Sequence, residues 1–262
     1  MSLLRDKTRK RRTQEELSGI QDGLINILRA DNPQTLRGLY YAGTVRGLYA
    51  KTEKNYKLVS RELVKLRRAG IVPYRWLADS SRWVRKPQTY GGVDELLESG
   101  AAYYRRDLWR DNPVAVEIWC EKEALAGVLF DVTAEYAAPL YVVKGFSSIT
   151  YIFEAAEAIR EREKPTYIYY LGDHDPSGIW IPRKIEQGLR EHVPDAEIHF
   201  TKLAVTPEQI EMWELPSRPT KRTDSRAKDF IGNSTELDAI PASTLKELVN
   251  KVITREIPPK VV

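Results

Sequence analysis

The chain has 262 residues, 41 Lys and Arg against 37 Asp and Glu, a formal net charge of +4 and 42% hydrophobic residues. That suits folded domains rather than wholesale disorder, and no apolar run approaches the roughly 20 residues a membrane helix needs. One cysteine, Cys120, excludes an intramolecular disulfide and a Cys-rich zinc site, His174, His192 and His199 lack zinc-protease spacing, and no signal-peptide core follows the basic N-terminus, so an intracellular setting is expected.

Charge is unevenly placed. Residues 1–90 carry 20 Lys and Arg against 8 Asp and Glu, and the remainder carries 21 against 29. Two modules of opposite sign follow, with 91–111 as a connecting region and 112–262 as the second module. The basic one suits a phosphate backbone and the acidic one suits divalent cations. Two solvated surfaces of opposite sign are the plainer reading.

In chain order, residues 13–29 read as a helix, with Thr13 and Glu16 as a capping box and Leu17, Ile20, Leu24 and Leu28 at helical spacing. Asp31-Asn32-Pro33 breaks it. A second helix starts near Thr35 and carries Leu36, Leu39, Tyr40 and Val45. A third spans 55–69, with Leu58, Val59, Leu63 and Leu66 on one face and Lys57, Arg61, Lys65 and Arg68 on another, and stops at Gly70. Residues 71–77 look like a strand, and Arg82-Trp83-Val84-Arg85 would return as its partner. Three helices and a hairpin in this order are the layout of a winged helix, with the basic helix in the major groove and Arg82 and Arg85 on the backbone. A protein-interaction module or a plain helical bundle fits the same layout.

Beyond Pro113 the pattern alternates. Strands are expected at 114–120, 140–143, 167–171 and 198–205, and helices at 122–134, 148–162 and 176–192. Such alternation means βαβ units around a mostly parallel, Rossmann-like sheet, so the chain is a multidomain α/β protein. No Gly-rich phosphate loop follows a strand, which argues against Rossmann or Walker nucleotide binding.

Two acidic clusters stand at strand ends: Glu121-Lys122-Glu123 after the first strand and Asp173-His174-Asp175-Pro176-Ser177-Gly178 after the third. Open α/β sheets collect active groups there. Carboxylates sharing a cleft need a cation, and oxygen ligands favour Mg²⁺. Taken singly, Asp175 before Pro176 also reads as a helix N-cap, and Glu121 as a first-turn acid. Asp173 precedes the cap and has no such role.

Together these motifs resemble the Toprim domain of topoisomerases, primases and related nucleases. More narrowly, Glu121-Lys122-Glu123-Ala124 and the Asp173–Gly178 run are similar to those of the topoisomerase VI A subunit and the meiotic double-strand-break transesterase, in a short version such as mobile elements or viruses carry. That family places a winged helix first, with an Arg-x-x-(Tyr/Phe)-Tyr motif. Arg37-Gly38-Leu39-Tyr40-Tyr41 fits it, although the family usually has an acid where Gly38 stands.

The resemblance implies Tyr41 as nucleophile and Arg37 beside it. It implies Glu121, Asp173 and Asp175 as Mg²⁺ ligands and a 5′-phosphotyrosyl intermediate in double-strand DNA cleavage. It implies a homodimer, cytoplasmic and DNA-associated, with Tyr41 of one protomer serving the acids of the other. A separate ATP-hydrolysing B-type chain would power strand passage in a type IIB topoisomerase. A Toprim nuclease using metal-activated water, or a non-catalytic DNA-binding module, are the rivals. Neighbours on a helix point about 100° apart, so Tyr40 is expected in the core and Tyr41 outside. Arg218, Lys221, Arg222, Arg226 and Lys228 read as a DNA-gripping loop or a solvated one. Glu236 and Asp238 add acids whose role the sequence leaves open.

Overall fold

The computed structural model describes residues 12–78, 88–104, 107–143, 145, 148–220, 230 and 232–257. Three helices open it. α1 (Gln14–Ala30) begins at Thr13, whose side chain accepts from the Glu16 N–H while the Glu16 carboxylate accepts from the Thr13 N–H. The box satisfies two donors that the first turn leaves orphaned. α2 (Leu36–Val45) is capped by Thr35, and α3 (Glu53–Arg68) by Thr52, two residues earlier than the spacing predicts. Gly70 follows α3 at φ +72°, a left-handed conformation that glycine adopts without strain. Leu24, Leu28, Leu39, Val59 and Leu63 form the core of this unit, and Ala239 from the far end of the chain joins it.

The strand expected over 71–77 does not form. A 3-10 turn, Tyr74–Trp76, takes its place, and only Leu77 makes an isolated parallel bridge, to Gln34. Pro73 sits at φ −58° and has no N–H to donate, so the aromatic and β-branched residues around it have propensity without a ladder. The return strand with Arg82 and Arg85, and Lys221, Arg222, Arg226 and Lys228, lie outside the described residues.

After α4 (Val93–Tyr103) come β1 (Ala115–Cys120), α5 (Glu123–Glu135), β2 (Leu140–Val142), α6 (Ile149–Arg162), β3 (Thr166–Leu171), α7 (Pro176–His192) and β4 (Ile198–Ala204). The short α8 (Pro207–Met212), the two-residue pair β5 (Arg218–Pro219) and β6 (Asn233–Ser234), and α9 (Ala242–Glu256) complete the order. β1 to β4 form one parallel sheet in the order β2-β1-β3-β4. All six residues of β1 are buried, as a central parallel strand covered on both faces requires. Val116, Ile118 and Cys120 pack towards Leu125, Val128, Leu245 and Val249 of α5 and α9. Trp119 faces the other way, into Ile152, Ile159, Ile181 and Ile185 of α6 and α7. Buried Glu117 shares that second face, where it accepts from Arg162 Nη1 at 2.5 Å and Trp119 Nε1 at 2.8 Å.

This strand order has a functional consequence. From β1 the chain steps to β2 on one side, then returns so that β3 lies on the other. The connections therefore diverge between β1 and β3, and a crevice opens past their carboxyl ends. Both acidic clusters begin there. Among the described residues no helix is long and apolar enough to cross a membrane.

Candidate active site

Glu121 and Asp173 meet at the switch point. Cys120 pairs with Leu171 at the strand ends, so each chain leaves the sheet side by side. Glu121 Oε2 accepts from the Asp173 N–H and the Tyr170 hydroxyl, both at 3.2 Å. Gly172 makes room for it: a Cβ there would stand 2.5 Å from Glu121 Oε2. Burial pushes the Glu121 carboxyl above its usual range, and repulsion from Asp173 and Asp175 adds to this.

Asp173 Oδ1 accepts from the Leu237 N–H at 2.7 Å and from Lys122 Nζ at 2.9 Å. Burial raises its pKa too, and Lys122 offsets that only in part. Asp175 is the N-cap of α7, accepting from the Gly178 N–H at 2.7 Å with Pro176 behind it. Gly178 lets α7 start directly under this loop, since a Cβ there would fall 2.0 Å from the Asp173 carbonyl oxygen. Lys202 on β4 holds the loop from below, donating to the carbonyls of Asp173 at 2.8 Å and Gly178 at 3.0 Å. Burial pushes its ammonium down to about 8, against the pull of Glu121, Asp173 and Asp175.

A second network joins this site to α2. The Lys122 ammonium lies 2.6 Å from Asp238 Oδ2, 2.9 Å from Asp173 Oδ1 and 3.6 Å from Glu236 Oε2. Glu236 in turn meets Arg37 Nη1 at 2.5 Å and Arg218 Nη2 at 3.2 Å. Thr35 Oγ1 accepts from the Gly38 N–H and donates to Asp238 Oδ1 at 2.6 Å, so the residue that caps α2 also docks it. An open cleft of about 560 Å³ at this junction is lined by Arg37, Tyr56, Arg67, Lys122 and Asp238 among others.

Tyr41 does not point outwards as helix geometry alone suggested. It is 5% exposed and Tyr40 is 6% exposed. Tyr40 enters the α1–α3 core and donates to the Thr52 carbonyl. The 3-10 turn at Leu237–Ala239 packs on α2, so its second face is covered as well. Lys51 Nζ stands 4.8 Å from the centre of the Tyr41 ring and donates to the Pro216 carbonyl. Burial and then Glu236 push the Tyr41 hydroxyl up to about 12, while Arg37, Arg218 and Lys122 pull the other way. The tyrosine thus lies in the field of the same network, within one chain.

The basic residues of α3 are exposed on its outer side, but three have acidic partners. Lys57 pairs with Glu53 at 2.8 Å, and Arg61 and Lys65 pair with buried Glu62 at 3.1 and 2.9 Å. Sequence reasoning gave no role to Lys51, Lys122 or Lys202, and it placed Arg218 only in a basic loop that grips DNA or is solvated. Only the position of Lys122 between two glutamates marked it.

As donors, Glu121 and Asp173 suit a hard cation: they are carboxylates at one crevice, and burial, with repulsion from Asp173 added, raises Glu121. Asp175 commits one oxygen to its cap and keeps the other. Among the described residues, no three His, Cys, Asp or Glu side chains converge as they stand on a single metal position. The ammonium groups of Lys122, on Asp173, and of Lys202, under the loop, bring positive charge to the cluster. No protein-family model matches the chain, and no curated protein matches it.

Proposed function

We propose that this protein cleaves duplex DNA by tyrosine transesterification, as a short relative of the topoisomerase VI A subunit. In this reading a winged helix precedes a Toprim domain. The observation that carries it is the placement of Glu121 and Asp173 at the sheet's switch point, with Tyr41 in the electrostatic field of the Arg37, Glu236 and Lys122 network that reaches Asp173. The Tyr41 oxygen attacks phosphorus and loses its proton. The bond from phosphorus to the 3′ oxygen breaks, leaving a 5′-phosphotyrosyl link and a free 3′ hydroxyl. Arg37 is the cation nearest this chemistry on α2 and would hold the phosphate. Mg²⁺ held by Glu121 and Asp173, with the free oxygen of Asp175, would supply charge stabilisation to the phosphate and the leaving oxygen.

Breaking both strands takes two tyrosines, so the working unit is a homodimer on double-stranded DNA. Strand passage would need an ATP-hydrolysing B-type subunit on another chain. The protein would work in the cytoplasm, on DNA.

A second reading has one observation in its favour. A buried tyrosine with its hydroxyl at about 12 is a poor nucleophile at neutral pH. The same acids could instead direct water at the phosphate. Incubation with duplex DNA and Mg²⁺, followed by detection of protein–DNA adducts, separates the two. Tyr41→Phe should abolish adducts and leave duplex binding intact, because the ring still packs. Asp173→Asn should weaken cleavage by orders of magnitude. Hydrolytic ends without adducts in the wild type would support the second reading and reject the first.

A further inference from the structure

One carboxylate in this protein is gripped by cations from three distant segments. Glu236 meets Arg37 of α2 through one oxygen and Arg218 of β5 through the other, with Lys122 at the head of α5 close by. Lys51 lies in the same field. The Glu236 side chain is 6% exposed, whereas those of Arg37 and Arg218 are 48% and 49% exposed. The guanidiniums therefore face solvent, and the carboxylate lies on their inner side. Each guanidinium has five N–H donors, and the structure commits one nitrogen of each to Glu236.

A backbone phosphodiester carries one negative charge over two non-bridging oxygens, as a carboxylate does. We propose that Arg37, Arg218 and Lys122 form a phosphate-binding site, and that Glu236 is its built-in occupant in the free protein, displaced by a phosphodiester when substrate arrives. The exchange conserves local charge. It requires no movement of the main chain. Thr235 on one side is paired with His174, and the Leu237 N–H on the other is held by Asp173, so only the side chain between them has to swing. The identity of the ligand as a DNA phosphate rests on the proposed function. The anion site itself does not.

The test starts with inorganic phosphate at constant ionic strength, read by thermal melting. Glu236→Gln keeps the shape and removes the carboxylate from Arg37 and Arg218, while Lys122 keeps Asp173 and Asp238. Phosphate should then raise its melting temperature saturably, by about 3 °C or more, with much less effect on the wild type. Adding Arg37→Gln or Arg218→Gln to Glu236→Gln should abolish the shift. Glu236→Asp draws the carboxylate back by one methylene and should lie between, which keeps the test available if Glu236→Gln folds poorly. Equal phosphate response in all variants would overturn the proposal, whether or not the protein cleaves DNA.

A short duplex then identifies the source of the phosphate. In a Tyr41→Phe background, Glu236→Gln should bind it about tenfold more tightly, corresponding to about 1.4 kcal/mol. Phosphate binding with unchanged duplex affinity would uphold the anion site and reject DNA as its ligand. Weaker duplex binding by a folded Glu236→Gln would overturn the displacement.

Discussion

Lys122→Met tests whether an ammonium, rather than packing, holds the two halves of the site together. The Lys122 side chain is mostly buried and stands 2.6 and 2.9 Å from oxygens of Asp238 and Asp173. At an effective dielectric near 20, each such contact is worth about 6 kcal/mol of gross attraction, and desolvation of the ions offsets most of it. Removing one partner leaves the others buried without compensation, so the net loss should be about 3–5 kcal/mol. Methionine fills a similar volume, which keeps a cavity from causing the loss.

The pH dependence identifies the cause. Burial alone would lower the Lys122 pKa, but Asp238, Asp173 and Glu236 raise it above the ordinary lysine value. Its contribution is therefore fully present below the unfolded lysine pKa and is lost only as pH rises through the folded one. In the variant, the deficit should be smallest in acid, where the carboxylates can protonate, and should grow towards neutral pH. Urea unfolding of wild type and variant between pH 5 and 8, which brackets the usual stability maximum, measures this. A deficit below about 1 kcal/mol that does not change with pH would show that the ammonium is not what neutralises the acids.

Lys202 should behave with the opposite sign: burial lowers its pKa from 10.5 to about 8, so the unfolded chain binds the extra proton in that interval and stability should rise from pH 8 to 10.5. Lys202→Met should remove that rise, measured as the difference between two urea-unfolding pH series. Tyr40→Phe loses the hydrogen bond to the Thr52 carbonyl and should cost about 1 kcal/mol in unfolding while adduct formation persists. Neutralising Lys57, Arg61, Lys65 and Arg68 together with Glu62→Gln should flatten the salt dependence of duplex binding by roughly one unit per lost phosphate contact. An unchanged slope would remove α3 from the DNA surface. Mixing Tyr41→Phe with Asp173→Asn protomers should produce single-strand nicks if tyrosine and acids pair across a dimer, and nothing if they pair within one chain.

Local chemistry in the sequence determined most of the elements. Thr13 with Glu16, Thr35, Ser148, and Asp175 before Pro176 each satisfy the first N–H groups of a helix with a side chain a few residues away, so caps, starts and spacing were legible. Alternating strands and helices likewise specified a parallel sheet, and carboxylates at strand ends specified where to look. The 71–77 segment was misread because β-propensity describes a fit to a pleated surface and does not override Pro73, after which the chain turns through Tyr74–Trp76. Tyr41 was misplaced for another reason. Helix geometry fixes the angle between two neighbours, but what packs around a helix decides which faces are buried, and here Lys51 lies over the Tyr41 ring while the turn at Leu237–Ala239, almost 200 residues further on, packs on α2. Only the tertiary structure could put Lys122 among Asp173, Glu236 and Asp238, or Glu236 between Arg37 and Arg218. Such contacts join segments with no local relation, and their energy depends on distances of a few ångströms inside a low-dielectric junction that exists only once the chain has closed on itself.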